Sequence, residues 1–331
     1  MKLTAKIALI LLIPIALYFV GPKPDFVPVD PSTPTLQCEL SDLDSLVAAD
    51  NAKIIDLKPG NESKIVWADT VKRKTKFAVV YLHGFSASEM EGNPVHRNFA
   101  KRYGCNLYLS RLEDHGRQDS NSFVKLTPDN FYESAQRALS IGKMLGDSII
   151  LMSCSTGSTL SIMLAQQYPF IHSFIMFSPN IDIKDPLSGL TIGPWGSELT
   201  SLVLGSDYNH ISYTTEAQKY WNPVYHKNGI LTTKKIIVDN MTTQNFKNIK
   251  QPLFIAYYYR DEDHQDQVVS VARMNDFFDQ VSTPVHKKRK YVSTTADSHV
   301  VASSIQSKDV AGVQAACFQF ADEVLHLKSI Q

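Results

Sequence analysis

Continuous apolar runs punctuate the chain at 77–82, 148–152, 174–177 and 253–258. Runs of this kind suit central strands buried on both faces. Shorter stretches at 65–67, 107–109 and 287–292 read as further strands. Between them the apolar positions recur at helical spacing. Residues 40–49 predict a short helix opened by Ser41 or Asp42, and 89–103 one helix with Phe99 and Ala100 inward. Residues 128–145 present Phe131, Ala135, Ala138, Leu139 and Leu145 on one face, and Gly146 stops them. Leu160, Met163, Leu164 and Ala165 mark the next helix, Val271, Met274, Phe277 and Phe278 another, and 312–328 an amphipathic last one. Strands alternating with helices predict an α/β fold with a mostly parallel sheet and helices on both faces. About 70 residues separate the strand at 174–177 from the one at 253–258, too many for a loop. That stretch holds Trp195, Tyr208, Tyr213, Tyr220, Trp221 and Tyr225.

The first segment follows a different pattern. Lys2 and Lys6 precede an uncharged apolar run at 7–20 with one proline, Pro14. It is a membrane anchor or a signal peptide. No small-x-small cleavage site follows, which favours the anchor. The positive-inside rule then leaves the N-terminus cytoplasmic and the remainder extracytoplasmic, periplasmic or external; a cleaved segment would make the protein secreted. Prolines 22, 24, 28, 31 and 34 make the next stretch an extended tether. The domain reading is therefore 1–21 anchor or signal, 22–36 tether, and 37–331 one catalytic domain with an insertion at about 181–250.

Composition narrows the function classes. The chain has 331 residues, 44% of them apolar, and 33 basic side chains balance 33 acidic ones. The apolar share supports a sizeable core. A net charge of zero argues against nucleic acid as a partner. Cys38, Cys105, Cys154 and Cys317 are too few for a disulfide framework, and one bridge is open if the domain meets an oxidising compartment. Glu113, Asp114 and His115 are contiguous on one loop with no second ligand cluster, so no metal is expected.

The candidate chemistry begins at Ser153-Cys154-Ser155-Thr156-Gly157. An apolar strand leads in and a helical pattern leads out, the context of a nucleophile elbow. The turn is tight, so the positions two before and two after Ser155 must be small. Upstream, the run at 77–82 ends in His83-Gly84-Phe85. With these two motifs the chain resembles the α/β-hydrolases, in particular serine esterases of the carboxylesterase-like bacterial type. The resemblance implies an α/β-hydrolase fold with a cap at the long insertion. It implies an oxyanion hole from the N–H groups of Phe85 and Thr156, with His83 structural. It places the triad acid after the strand at 253–258, where Asp261, Asp263 and Asp266 compete. Asp266-Gln267-Val268-Val269 fits the family pattern of an Asp, one residue and an apolar pair. Asp182 is an outside candidate. The base is His299 in Asp297-Ser298-His299, with His264 as its rival. Asp114-His115-Gly116 resembles the segment at the site mouth, and Trp195 lies on the cap, so both are expected to line the substrate pocket.

The order Ser155, Asp266, His299 is that of the α/β-hydrolases. The implied function is hydrolysis of a small-molecule ester or acyl substrate through an acyl-enzyme, without cofactor or metal. Two alternatives remain at this point: amide, peptide or carbon–carbon bond hydrolysis on the same triad, and a non-catalytic tethered binding protein on this fold.

Overall fold

Side chains of successive residues in a strand point to opposite faces, and the run at 77–82 uses both. Val80 and Leu82 join one buried cluster with Phe131, Leu139 and Leu160, while Val79 and Tyr81 join another with Phe99 and Phe320. The sheet therefore has a core on each side, as a continuous apolar run requires. The structure is a computed structural model that describes residues 17–32, 36 and 38–330. Its strands are β1 (Lys64–Val66), β2 (Thr75–Leu82), β3 (Asn106–Leu109), β4 (Gly146–Cys154), β5 (Ile171–Phe177), β6 (Tyr208–His210), β7 (Val224–His226), β8 (Leu253–Tyr258) and β9 (Lys288–Ser293). Seven of them form one sheet in the order β1-β3-β2-β4-β5-β8-β9. Only β1 runs antiparallel to its neighbour.

Register brings the strand ends to one edge. Leu82 pairs with Ser153, and Cys154 with Phe177. The loops that leave β2, β4, β5, β8 and β9 all start from this edge, the place where open α/β sheets bind ligands.

The helix predicted at 128–145 forms as Pro128–Leu145. Thr127 caps it reciprocally with Asn130, a pairing that satisfies two otherwise orphaned donors. The single helix expected over 89–103 is two pieces, a 3-10 turn at Glu89–Gly92 and a helix at Val95–Tyr103. Pro94 separates them, because it has no N–H to donate and disfavours helical backbone in Asn93. The last helix, Val310–Glu323, stops short of the expected 328.

Between β5 and β8 the chain builds a 3-10 turn, the helices Gly196–Leu204, Thr215–Gln218, Asn228–Asn240 and Thr243–Lys247, and the antiparallel pair β6–β7. This insertion roofs the edge described above. The predicted anchor falls mostly on residues 1–16, outside the described residues; among the described residues no helix is long and apolar enough to cross a membrane. The described part of the Pro-rich stretch, 22–32, forms neither helix nor strand and lies against the domain. Asp30 N–H donates to Asp129 Oδ1 at 2.6 Å, Trp195 N–H donates to the Pro22 carbonyl at 2.6 Å, and Val29 packs on the core. All four cysteines are free thiols, so the open disulfide is not formed.

One contact fixes how the helix after β4 meets the sheet. A Cβ on Gly157 would sit 2.2 Å from the Leu82 carbonyl oxygen and 2.6 Å from that of His83. Both obstacles are backbone, so neither can swing aside. Gly157→Ala is expected to destabilise the fold by about 1–3 kcal/mol, the usual range for overpacking, as read from urea unfolding.

Candidate active site

Ser155 stands between the end of β4 and the helix Thr156–Gln167 with φ 50° and ψ −121°. A non-glycine residue in this region costs on the order of 1–3 kcal/mol and persists only when its surroundings hold it. Backbone hydrogen bonds do so, three of them at 3.1 Å or less. Ser155 N–H donates to the Phe177 carbonyl at 2.9 Å, and the Ser155 carbonyl accepts from Ser158 N–H at 2.8 Å and Asn180 N–H at 3.1 Å. The hydroxyls of Ser153 and Ser158 pair at 3.0 Å beneath the turn.

The chain leaving β2 approaches this turn closely. A Cβ on Gly84 would lie 2.9 Å from Ser155 Cβ, so only glycine admits the approach. Thr156 is the first residue of its helix, and its N–H has no intrahelical acceptor. Phe85 and Thr156 line one cavity with Ser155. His83 anchors the loop: its Nδ1 bonds the Gly84 carbonyl at 2.9 Å and its Nε2 accepts from Leu112 N–H at 3.1 Å. Burial drives its pKa down to about 4, which favours the neutral ring.

After β8, Asp266 is fully buried. Its Oδ1 accepts from the N–H groups of Val268 and Val269 at 2.8 and 3.0 Å, and its Oδ2 meets His299 Nδ1 at 2.6 Å. The apolar pair after Asp266 thus supplies the amides that orient the carboxylate. A proton on Nδ1 shared with Asp266 leaves Nε2 as the basic nitrogen. Burial alone would lower the His299 pKa, but the charge and hydrogen bond of Asp266 outweigh it, Glu91 adds to them, and the net shift is upward from 6.5. His299 lines the same cavity as Ser155.

The rival residues sit elsewhere. Asp261 and Asp263 are exposed, and Asp261 Oδ1 is engaged by His264 Nδ1 at 2.7 Å, itself exposed. Asp182 forms an ion pair with Lys234 at 2.6 Å.

The two pocket residues expected from sequence are not among those lining the cavity. His115 is fully buried behind Phe85, in an aromatic group with His83, Phe123 and Phe131. Asp114 has a left-handed φ of 59° and ties its carboxylate to Phe123 N–H and Arg117, which turns His115 inward. Trp195 lies on the outer side of the roof, 37% exposed, with Nε1 donating to the Leu17 carbonyl at 3.0 Å.

The cavity holds about 450 Å³, within the range of small-molecule pockets. Ile183, Ile211, Tyr225, Ile230 and Val268 give it an apolar wall, and Trp221 and Tyr213 close it from the roof. Asn180 Oδ1 and Thr233 Oγ1 are buried on this wall and have no hydrogen-bond partner within the protein. Sequence reasoning missed both, as it missed Glu91, whose carboxyl also faces the cavity. The described residues contain no cluster of His, Cys, Asp and Glu able to hold a metal ion.

No family model matches the chain, and a search of curated proteins finds no match. Solved structures do resemble it. A metagenome-derived lipolytic enzyme, from a study of LipS and LipT, superposes with a TM-score of 0.64 at 15% identity, over 80% of this chain and 98% of that one. The monoacylglycerol lipase of Paleococcus ferrophilus gives 0.55 at 12% identity, over 80% and 98%. A soluble variant of Saccharomyces cerevisiae monoglyceride lipase gives 0.54 at 14% identity, over 93% and 98%. Together with the strand order, these likenesses show that the fold is that of the α/β-hydrolases.

The electrostatics of the His299 pair can be read directly. Asp266→Asn removes the charge that favours the imidazolium, so the His299 titration followed by NMR is expected to move to lower pH. A midpoint that stays in place would detach Asp266 from His299.

Proposed function

We propose that the protein is a serine hydrolase that cleaves carboxylic esters. The observation that carries this reading is one arrangement. The strained Ser155 turn and the His299–Asp266 pair meet in a single apolar cavity, beside the first amide of a helix.

In this reading His299 Nε2 takes the Ser155 proton as the hydroxyl attacks the acyl carbon. Asp266 holds the ring in the needed tautomer and stabilises its cation. The N–H groups of Phe85 and Thr156 receive the developing oxyanion, and preorganised amides of this kind are worth about 10²–10³ in rate. The alcohol departs with the proton from His299. Water then attacks the acyl-enzyme, with His299 again as base, and releases the acid. The apolar wall suits an acyl chain, and the unpartnered oxygens of Asn180 and Thr233 suit a hydroxyl or amide donor on the substrate.

Fluorophosphonate is expected to label Ser155, and Ser155→Ala to lose on the order of 10⁴ or more in kcat while keeping its melting temperature. Near-wild-type turnover by the folded variant would remove Ser155 from the reaction. A panel of p-nitrophenyl esters and anilides distinguishes ester from amide cleavage.

Trp221, rather than Trp195, is the roof tryptophan that meets the cavity. Each buried methylene contributes roughly 0.8 kcal/mol, so kcat/KM is expected to rise with acyl length until the cavity is filled. Trp221→Ala is expected to flatten that rise more than it slows acetate esters. An unchanged length profile would assign substrate choice to other parts of the wall.

The apolar run before residue 17 supports an accompanying proposal, that the chain is held at a membrane with its catalytic domain extracytoplasmic. Full-length protein would then fractionate with membranes and retain its N-terminus. A mature form beginning near Gly21 would identify a cleaved signal instead.

A further inference from the structure

We propose that Glu91 is a positioning residue of this site: its carboxylate holds the Gly84–Phe85 turn beside Ser155 and gives His299 a second negative charge besides Asp266. The inference rests on the Ser155 reading above and adds a group that the triad does not use.

Glu91 lies in the 3-10 turn after β2 and is 2% exposed, yet its side chain lines the cavity together with Ser155 and His299. Its Oε2 accepts a hydrogen bond from Gly84 N–H. A Cβ on Gly84 would lie 2.9 Å from Glu91 Oε2 and 2.9 Å from Ser155 Cβ, so the carboxylate and the nucleophile flank the same backbone atom. The amide that follows Gly84 is that of Phe85, the proposed oxyanion donor. The Glu91 grip on Gly84 therefore sets where that donor points.

The surroundings of Glu91 are those of a group kept for its charge. The thiol of Cys154, at the end of β4, and the Trp221 side chain in the roof lie beside it and favour its charged form. Tyr81 on β2 and Tyr213 in the roof also face it. On its own turn, Glu89 is already committed to His96 at 3.0 Å and Arg97 at 2.6 Å. Among the described residues Glu91 has no ion pair of that kind, and His299 is the cation whose charge acts on it. Burial raises its pKa to about 7 against the opposing pull of the Gly84 amide, His299, Cys154 and Trp221. Above that pH the site holds two carboxylates around one imidazole.

A buried acid that ionises is costly unless it is paired and hydrogen-bonded. Its place here makes sense through the imidazolium that forms during acyl transfer. A carboxylate near His299 favours the protonated ring and raises its pKa. Removing the charge lets the ring lose its proton at lower pH.

The experiment measures the rate of fluorophosphonate labelling of the full-length protein against pH, for wild type, Glu91→Gln and Glu91→Asp. The rate falls on the acid side as His299 becomes protonated. Glu91→Gln keeps the size and an acceptor for Gly84 but loses the charge. Its acid-side midpoint is expected to fall by about one pH unit, within the effect of a nearby opposite charge. Glu91→Asp keeps the charge but withdraws from Gly84, so its midpoint stays near wild type while its plateau rate drops. A role in packing alone would lower the plateau in both variants and move neither midpoint, and that result overturns the proposal. Equal shifts in the two variants overturn it as well. Wild type left unlabelled at Ser155 overturns the hydrolase reading and this inference with it, whereas labelled wild type with an unmoved Glu91→Gln midpoint overturns this inference alone.

Discussion

Everything at the site depends on how closely three backbone segments approach at the end of the sheet. Gly84 comes within side-chain distance of Ser155, and Gly157 sits against the carbonyls of Leu82 and His83. At both places a methyl group would occupy space already taken. The same closeness permits Ser155 its strained backbone, because Phe177, Ser158 and Asn180 are near enough to bond it. A hydrogen bond contributes a net ~1 kcal/mol, so three of them are comparable in size to the strain they offset. The parallel register of β2, β4 and β5 is what brings these partners level with one another.

The two carboxyls of the site are held by different means. Asp266 receives two amides of its own loop and faces His299 directly. Glu91 receives groups from three separate elements, the β2 loop, the end of β4 and the roof. The first arrangement is local and can be built by one short loop. The second exists only once sheet and roof have assembled.

That difference also decides what could be read from the sequence. The central strands were legible because burial on both faces demands unbroken apolar runs. The Ser155 turn was legible because its sterics demand small neighbours at fixed offsets. Asp266 stood out from Asp261 and Asp263 through the apolar pair after it, and those two residues turn out to supply its amides. Glu91 left no such trace, since an acid in a polar loop looks the same whether it faces water or a cavity. His115 and Trp195 were expected on the pocket wall, but composition cannot say which way a loop histidine or a roof tryptophan turns. For His115 the direction is set by the left-handed Asp114 and its bonds to Phe123 and Arg117, and for Trp195 by the leading segment of the chain. The break within 89–103 falls at Pro94, a residue that the one-helix reading of this stretch passed over.

The contact of Trp195 with that leading segment has a mechanical meaning. The indole bonds the Leu17 carbonyl, and the Trp195 backbone bonds that of Pro22. Both lie well ahead of Val29 and Asp30, where the segment next meets the body of the domain. A pull on the N-terminal end of the chain is therefore loaded first onto the roof and not onto the sheet. A hold on residues 1–16 is thus passed on, through Trp195, to the outer side of the roof.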